Sequence, residues 1–152
     1  MSMPFPKAGF LHLEDDDGVL EVYRVTSADY NLYEEDGHWW LTVYCRAEEK
    51  VLPPETENPE PWIEINIPFD VPAKAELTQG GKLSSVAYDE AFGGNLTNIY
   101  WFSHSGFENP GIEVVSMNNT TATLRIRGER YDCPVALCAA FVLNPERKRS
   151  FT

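Results

Sequence analysis

The chain has 152 residues and a formal charge of −12, with 24 Asp and Glu against 12 Lys and Arg. That length suits one domain, and with 43% hydrophobic residues it is enough to build a core without metal or disulfide staples. The charge weighs against nucleic acid and anionic membrane surfaces as partners, because both are held through Lys and Arg clusters that are scarce here. It suits solubility, and steering toward a basic protein or a cation.

No stretch approaches the roughly 20 apolar residues of a membrane helix. Residues 1–10 lack the charged-then-apolar run of a secretory leader, so the expected location is cytoplasmic. Cys45, Cys133 and Cys138 are odd in number, which argues against a disulfide framework.

In chain order, Pro4 and Pro6 mark residues 1–8 as an extended arm. Phe10 to Glu14 alternates as a strand, with Leu11 and Leu13 on one face, and Glu14 to Gly18 reads as an acidic turn. Val19 to Thr26 is a β-branched strand. Tyr30 to Glu34, Asp36-Gly37 and His38 to Arg46 predict a hairpin, because Asp-Gly supplies the two positive-φ residues of a tight reversal. In its second arm Trp39, Leu41, Val43, Cys45 and Ala47 share the expected core face, while Trp40, Thr42, Tyr44 and Arg46 share the other. Residues 48–61 hold four prolines and five glutamates and read as a surface loop.

Trp62 to Phe69 is the cleanest alternation, with Ile63, Ile65 and Ile67 inward. Lys74 to Thr78 is a short strand candidate, and Ser84 to Phe92 is the one helix candidate, with Ser85 as N-cap. Asn98 to His104 reads as an aromatic strand and Asn109-Pro110-Gly111 as a turn. Ile112 to Met117 and Thr121 to Arg127 predict a second hairpin across Asn118-Asn119. Val135 to Leu143 is apolar throughout and reads as a central strand buried on both faces. Residues 145–152 form a basic tail expected to fray. The fold expected is all-β, an antiparallel β-sandwich or jelly-roll-like domain spanning 1–152, with nine to ten short strands and at most one short helix.

No nucleotide, nucleophile-elbow or zinc spacing is present, and no catalytic residue is assigned. His12 and Glu14 share a strand face at spacing two beside Asp15 to Asp17, a pattern shared by a metal edge and a solvated strand end. His104 between Ser103 and Ser105 is no Ser-His pair, since adjacent strand residues point to opposite faces. The acidic clusters Asp15-Asp16-Asp17 and Glu34-Glu35-Asp36 would suit calcium only if they met at one end of the sandwich; otherwise no cofactor is expected. Trp40, Tyr44 and Trp62 form one aromatic surface if their strands are neighbours, and Trp and Tyr dominate binding hot spots.

The expected function is a non-enzymatic protein-binding module of immunity or inhibitor type. It would dock a basic partner through Trp40, Tyr44, Trp62, Asp15, Asp16, Asp17, Glu34, Glu35 and Asp36. The alternatives are a carbohydrate-binding β-sandwich on the same aromatic face and a metal-dependent hydrolase using His12, Glu14 or His104.

Overall fold

The computed structural model describes residues 4–35, 38–69, 82–84 and 97–148. They form twelve strands: β1 (Phe10–Glu14), β2 (Leu20–Arg24), β3 (Ser27–Glu35), β4 (His38–Arg46), β5 (Glu49–Leu52), β6 (Trp62–Phe69), β7 (Lys82–Ser84), β8 (Thr97–Trp101), β9 (Ser103–Gly106), β10 (Glu108–Met117), β11 (Thr121–Arg130) and β12 (Cys133–Leu143). The fold is all-β and sandwich-like, with no helix among the described residues. The helix candidate, apart from Ser84 at the end of β7, and the 74–78 strand lie outside them.

β12 is the branch point. One edge pairs along its whole length with β11, from Arg130 opposite Cys133 to Thr121 opposite Val142. The other edge serves two strands in turn. β1 pairs with residues 135–138, and β3 joins in parallel, with Asp29 opposite Val142 and Tyr30 opposite Leu143. One limb therefore runs β12-β1-β2-β5 and another β12-β3-β4-β6-β8-β9, while β11, β10 and β7 extend the far side. The parallel junction makes the sheet mixed rather than purely antiparallel. The core fills the space the limbs enclose, with Leu11, Leu13, Leu41, Val43, Ile63, Ile65, Leu124, Leu137 and Phe141 essentially sealed from solvent. Gly128 is needed at its site in β11, because a Cβ there would come within 2.4 Å of the buried Phe107 ring.

Both predicted hairpins form. Glu35 pairs with His38, which leaves a two-residue loop whose residues lie outside the described set. The β10–β11 turn closes by a different device than positive φ. The Asn118 carboxamide oxygen accepts from the backbone N–H groups of Thr120 and Thr121, an Asx-type turn. A third tight hairpin, β11–β12, turns on Tyr131 and Asp132, both left-handed at φ 49° and 65°.

Four expectations change. The Pro/Glu-rich stretch 48–61 begins with β5, which pairs with β2. The aromatic run breaks at Phe102 (φ 64°) into the β8–β9 hairpin. Asn109-Pro110-Gly111 lies inside β10 as a register irregularity instead of ending it. β12 is buried on both faces only from Val135 to Ala139; Ala140 and Val142 are exposed.

The described parts of the two termini are docked. Phe5 lies under Arg127 and Arg125, 3.8 and 5.5 Å from guanidinium carbon to ring centre, and covers the outer face of β11. The expected frayed tail is held through Lys148. Asn31 donates to the carbonyls of Pro145 and Arg147, and Arg147 makes a two-point ion pair with Asp29. Residues 149–152 lie outside the described set.

Candidate functional site

The limb β4-β6-β8-β9 turns its second face outward, and cross-strand register sets what meets there. Arg46 lies opposite Trp62, Trp62 opposite Tyr100, and Tyr100 opposite His104. One step along the strands, Tyr44 is opposite Glu64 and Glu64 opposite Asn98. Directly opposed side chains on one face are close enough to touch, and the rings do. Trp62 is 6.1 Å from both Tyr44 and Tyr100, with interplanar angles of 29° and 12°. His104 sits edge-on to Trp62 at 5.5 Å and to Tyr100 at 5.0 Å. The result is a strip of four rings across four strands. Tyr44, Trp62 and Tyr100 are half-buried, and His104 is exposed.

The strip has a cation at one end. Arg147 in the docked tail lies 4.5 Å over the Tyr44 ring while its guanidinium pairs with Asp29. Burial pushes the Tyr44 phenol above its ordinary pKa, only partly opposed by the positive charges of Arg46 and Arg147, so Tyr44 stays a neutral hydrogen-bonding group. The Asp29 carboxylate raises Arg147 further and keeps it cationic.

Of the residues singled out from sequence, Tyr44 and Trp62 come together and Trp40 does not. Trp40 shares the outward face of β4 but is 1% exposed and packs with Tyr33, its indole N–H directed at the Glu35 carbonyl 3.4 Å away. Thr42 and Asn66 beside it are also sealed. The acidic clusters lie apart. Asp15 caps its own turn, accepting from the N–H groups of Asp17 and Val19, while Asp16 and Asp17 are exposed. This turn sits by the N-terminal end of β12, where the Cys133 sulfur is 3.8 Å from the Asp15 carbonyl oxygen. β3 runs parallel to β12 and passes its far end, so Glu34 and Glu35 lie at the opposite end of the molecule. The two clusters therefore cannot share one calcium ion. Asp36 lies outside the described residues, and Glu34 is exposed.

His12 is half-buried on β1, and burial lowers its pKa from the ordinary 6.5. Among the described residues no three His, Cys, Asp or Glu side chains converge as a metal centre requires. The three cysteines are free thiols, and burial pushes Cys45 up to about 12, which leaves it unreactive.

The sequence reading named His104 only as an enzyme candidate, did not single out Tyr100, and joined neither to the aromatic surface. Their signal was the spacing of the β8–β9 reversal, hidden because Phe102 gives no turn signature. An open groove of about 560 Å³ lies where β1 and β3 part along β12, but its lining, including Ala8, Val25, Ala28, Ala139 and Val142, carries no titratable side chain. Among the described residues no helix is long and apolar enough to cross a membrane. No family model, curated protein or solved structure matches this chain.

Proposed function

We propose that this chain is a non-enzymatic protein-binding module that docks an Arg- or Lys-bearing partner on the Tyr44–Trp62–Tyr100–His104 strip. The observation that carries this reading is Arg147. The chain's own tail already seats a guanidinium on one ring of the strip and balances it with a carboxylate, and a partner's cation would meet the same chemistry at Trp62 and Tyr100. Glu64 and Asn98 add polar groups beside the rings, as recognition surfaces require to fix register. The overall charge of −12 would speed encounter with a basic partner.

The test is binding of a fluorescent hexa-arginine peptide and of an equally long lysine–serine peptide, at low and high salt. Trp62→Ala should weaken arginine-peptide binding at least tenfold, the behaviour of a central anchor. Asp16→Lys with Asp17→Lys should slow association at low salt alone. Equal affinity of wild type and Trp62→Ala would refute the reading.

A second reading is favoured by the same polar row. Aromatic rings flanked by a carboxylate and a carboxamide also suit a carbohydrate. Quenching of tryptophan fluorescence by a glycan panel, lost in Trp62→Ala, would select it over the peptide partner.

A further inference from the structure

The end of the sandwich carrying the β1–β2, β8–β9 and β11–β12 turns has a buried polar centre. Tyr23, on the inner face of β2, accepts a hydrogen bond from the Trp101 indole at 3.0 Å and donates one to Glu21. Lys50 completes that side. It is almost fully enclosed, yet its ammonium meets Glu21, the Thr56 hydroxyl and the Glu57 carbonyl. Across Trp101 lies a second enclosed cation. Arg130 ends β11 on its core-facing side, is 8% exposed, and stands 4.4 Å over the Trp101 ring and 5.1 Å over Tyr131.

The two cations differ in their partners. Arg130 makes no ion pair among the described residues, and its Nε and Nη1 are enclosed without a hydrogen-bond acceptor. Ring faces offset only part of what a guanidinium loses on leaving water, and its in-plane N–H groups still call for oxygen acceptors.

An independent observation points to the same place. Phe102 and Tyr131 hold the left-handed conformation that side chains with a Cβ avoid, at φ 64° and 49°, and present their rings outward, 48% and 59% exposed. Backbone strain that keeps bulky apolar side chains in water is a feature of binding surfaces. Phe102 touches Trp101 at 5.4 Å between ring centres, and Trp101 and Tyr131 are the two rings under Arg130. Of the six large hydrophobic side chains exposed among the described residues, only Val142 lies elsewhere; Val19, Leu20 and Leu52 lie on the turn and strands of this end.

We propose that this end binds a small carboxylate with an apolar body, its head on the Arg130 guanidinium and its body on Phe102 and Tyr131. The planar fork of Arg matches a carboxylate through two N–H groups. The carboxylates at this end, Asp16 near the Cys133 sulfur and Asp132 in the β11–β12 turn, favour a head of single charge over a phosphate dianion. This site uses the inward Trp101, the turn residues and Arg130 rather than the outer rings, and stands whether or not the strip binds a protein.

The test titrates the full chain with decanoate, and separately with decanol, below their aggregation limits. Calorimetry would measure affinity, and the Trp101 indole N–H resonance would report the place. Decanoate should bind at one saturable site and shift that resonance, at least tenfold tighter than decanol. Arg130→Gln should reduce the decanoate affinity to that of decanol. Tyr131→Gly, which suits the turn and keeps Arg130, should weaken it several-fold. Equal binding of decanoate and decanol by the wild type, an unmoved Trp101 resonance, or undiminished decanoate binding by Arg130→Gln would each overturn the proposal. The wild-type comparison alone decides the matter if Arg130→Gln does not fold.

Discussion

Trp40 and Trp62 occupy the same face of neighbouring strands and obey the same two-residue alternation, yet one is sealed and the other lies in an accessible strip. The difference is what lies above them. Beside Trp40 stands Tyr33, its partner across β3, and the tail, bonded to Asn31 with Lys148 over the Tyr33 ring, covers this part of the face. Around Trp62 the neighbours are the other rings of the strip and the exposed Arg46 opposite it. Alternation assigns a side chain to a face; it says nothing about whether a later segment returns to cover it.

Breaking each tryptophan should separate the two regions. Trp40→Ala removes a fully enclosed ring and should cost about 3–5 kcal/mol in denaturant unfolding. Trp62→Ala should cost about 1 kcal/mol while abolishing binding at the strip. Similar losses for both would mean that the strip is core. Between these extremes lies the tail. Arg147→Ala removes a largely enclosed two-point ion pair and should cost about 1–2 kcal/mol, with increased hydrogen exchange along β3 as the second check.

Thr42→Val keeps the shape of a sealed side chain but removes the hydroxyl that bonds to the Tyr33 phenol, and should cost about 1 kcal/mol. The smallest effect belongs to His12 on the other limb. Its folded pKa lies below 6.5, so the unfolded chain binds the extra proton. The stability this supplies is complete above about pH 6.5 and drains away as pH falls toward the folded-state value. Melting temperature should therefore drop more between pH 7.5 and 5.5 in wild type than in His12→Gln; equal drops would exclude His12 as the cause.

Much of the architecture was legible. The strands around Leu11, Val43, Ile63 and Leu124 announce themselves by period, and both hairpins by their turn residues. What escaped was punctuation without glycine or asparagine. Phe102, Tyr131 and Asp132 reverse the chain in left-handed conformations that their identities do not signal. Missing the first hid Tyr100 and His104 as strand partners; missing the second hid the placement of Arg130. Glu48 to Pro61 erred the other way, since its prolines concealed an edge strand ahead of them. Pairing between limbs, which sends the two acidic clusters to opposite ends, depends on contacts more than a hundred residues apart that no local pattern encodes.

The branching of β12 has a consequence for how the chain is made. Synthesis delivers β1 and β3 more than a hundred residues before the strand that unites them, so each emerges with an edge awaiting its neighbour. Closing such distant pairs is slow, and bare strand edges in a growing chain invite mispairing. A nascent chain stalled before residue 133 should accordingly be protease-sensitive along its whole length, and release of the last strand should convert it to a resistant form in one cooperative step.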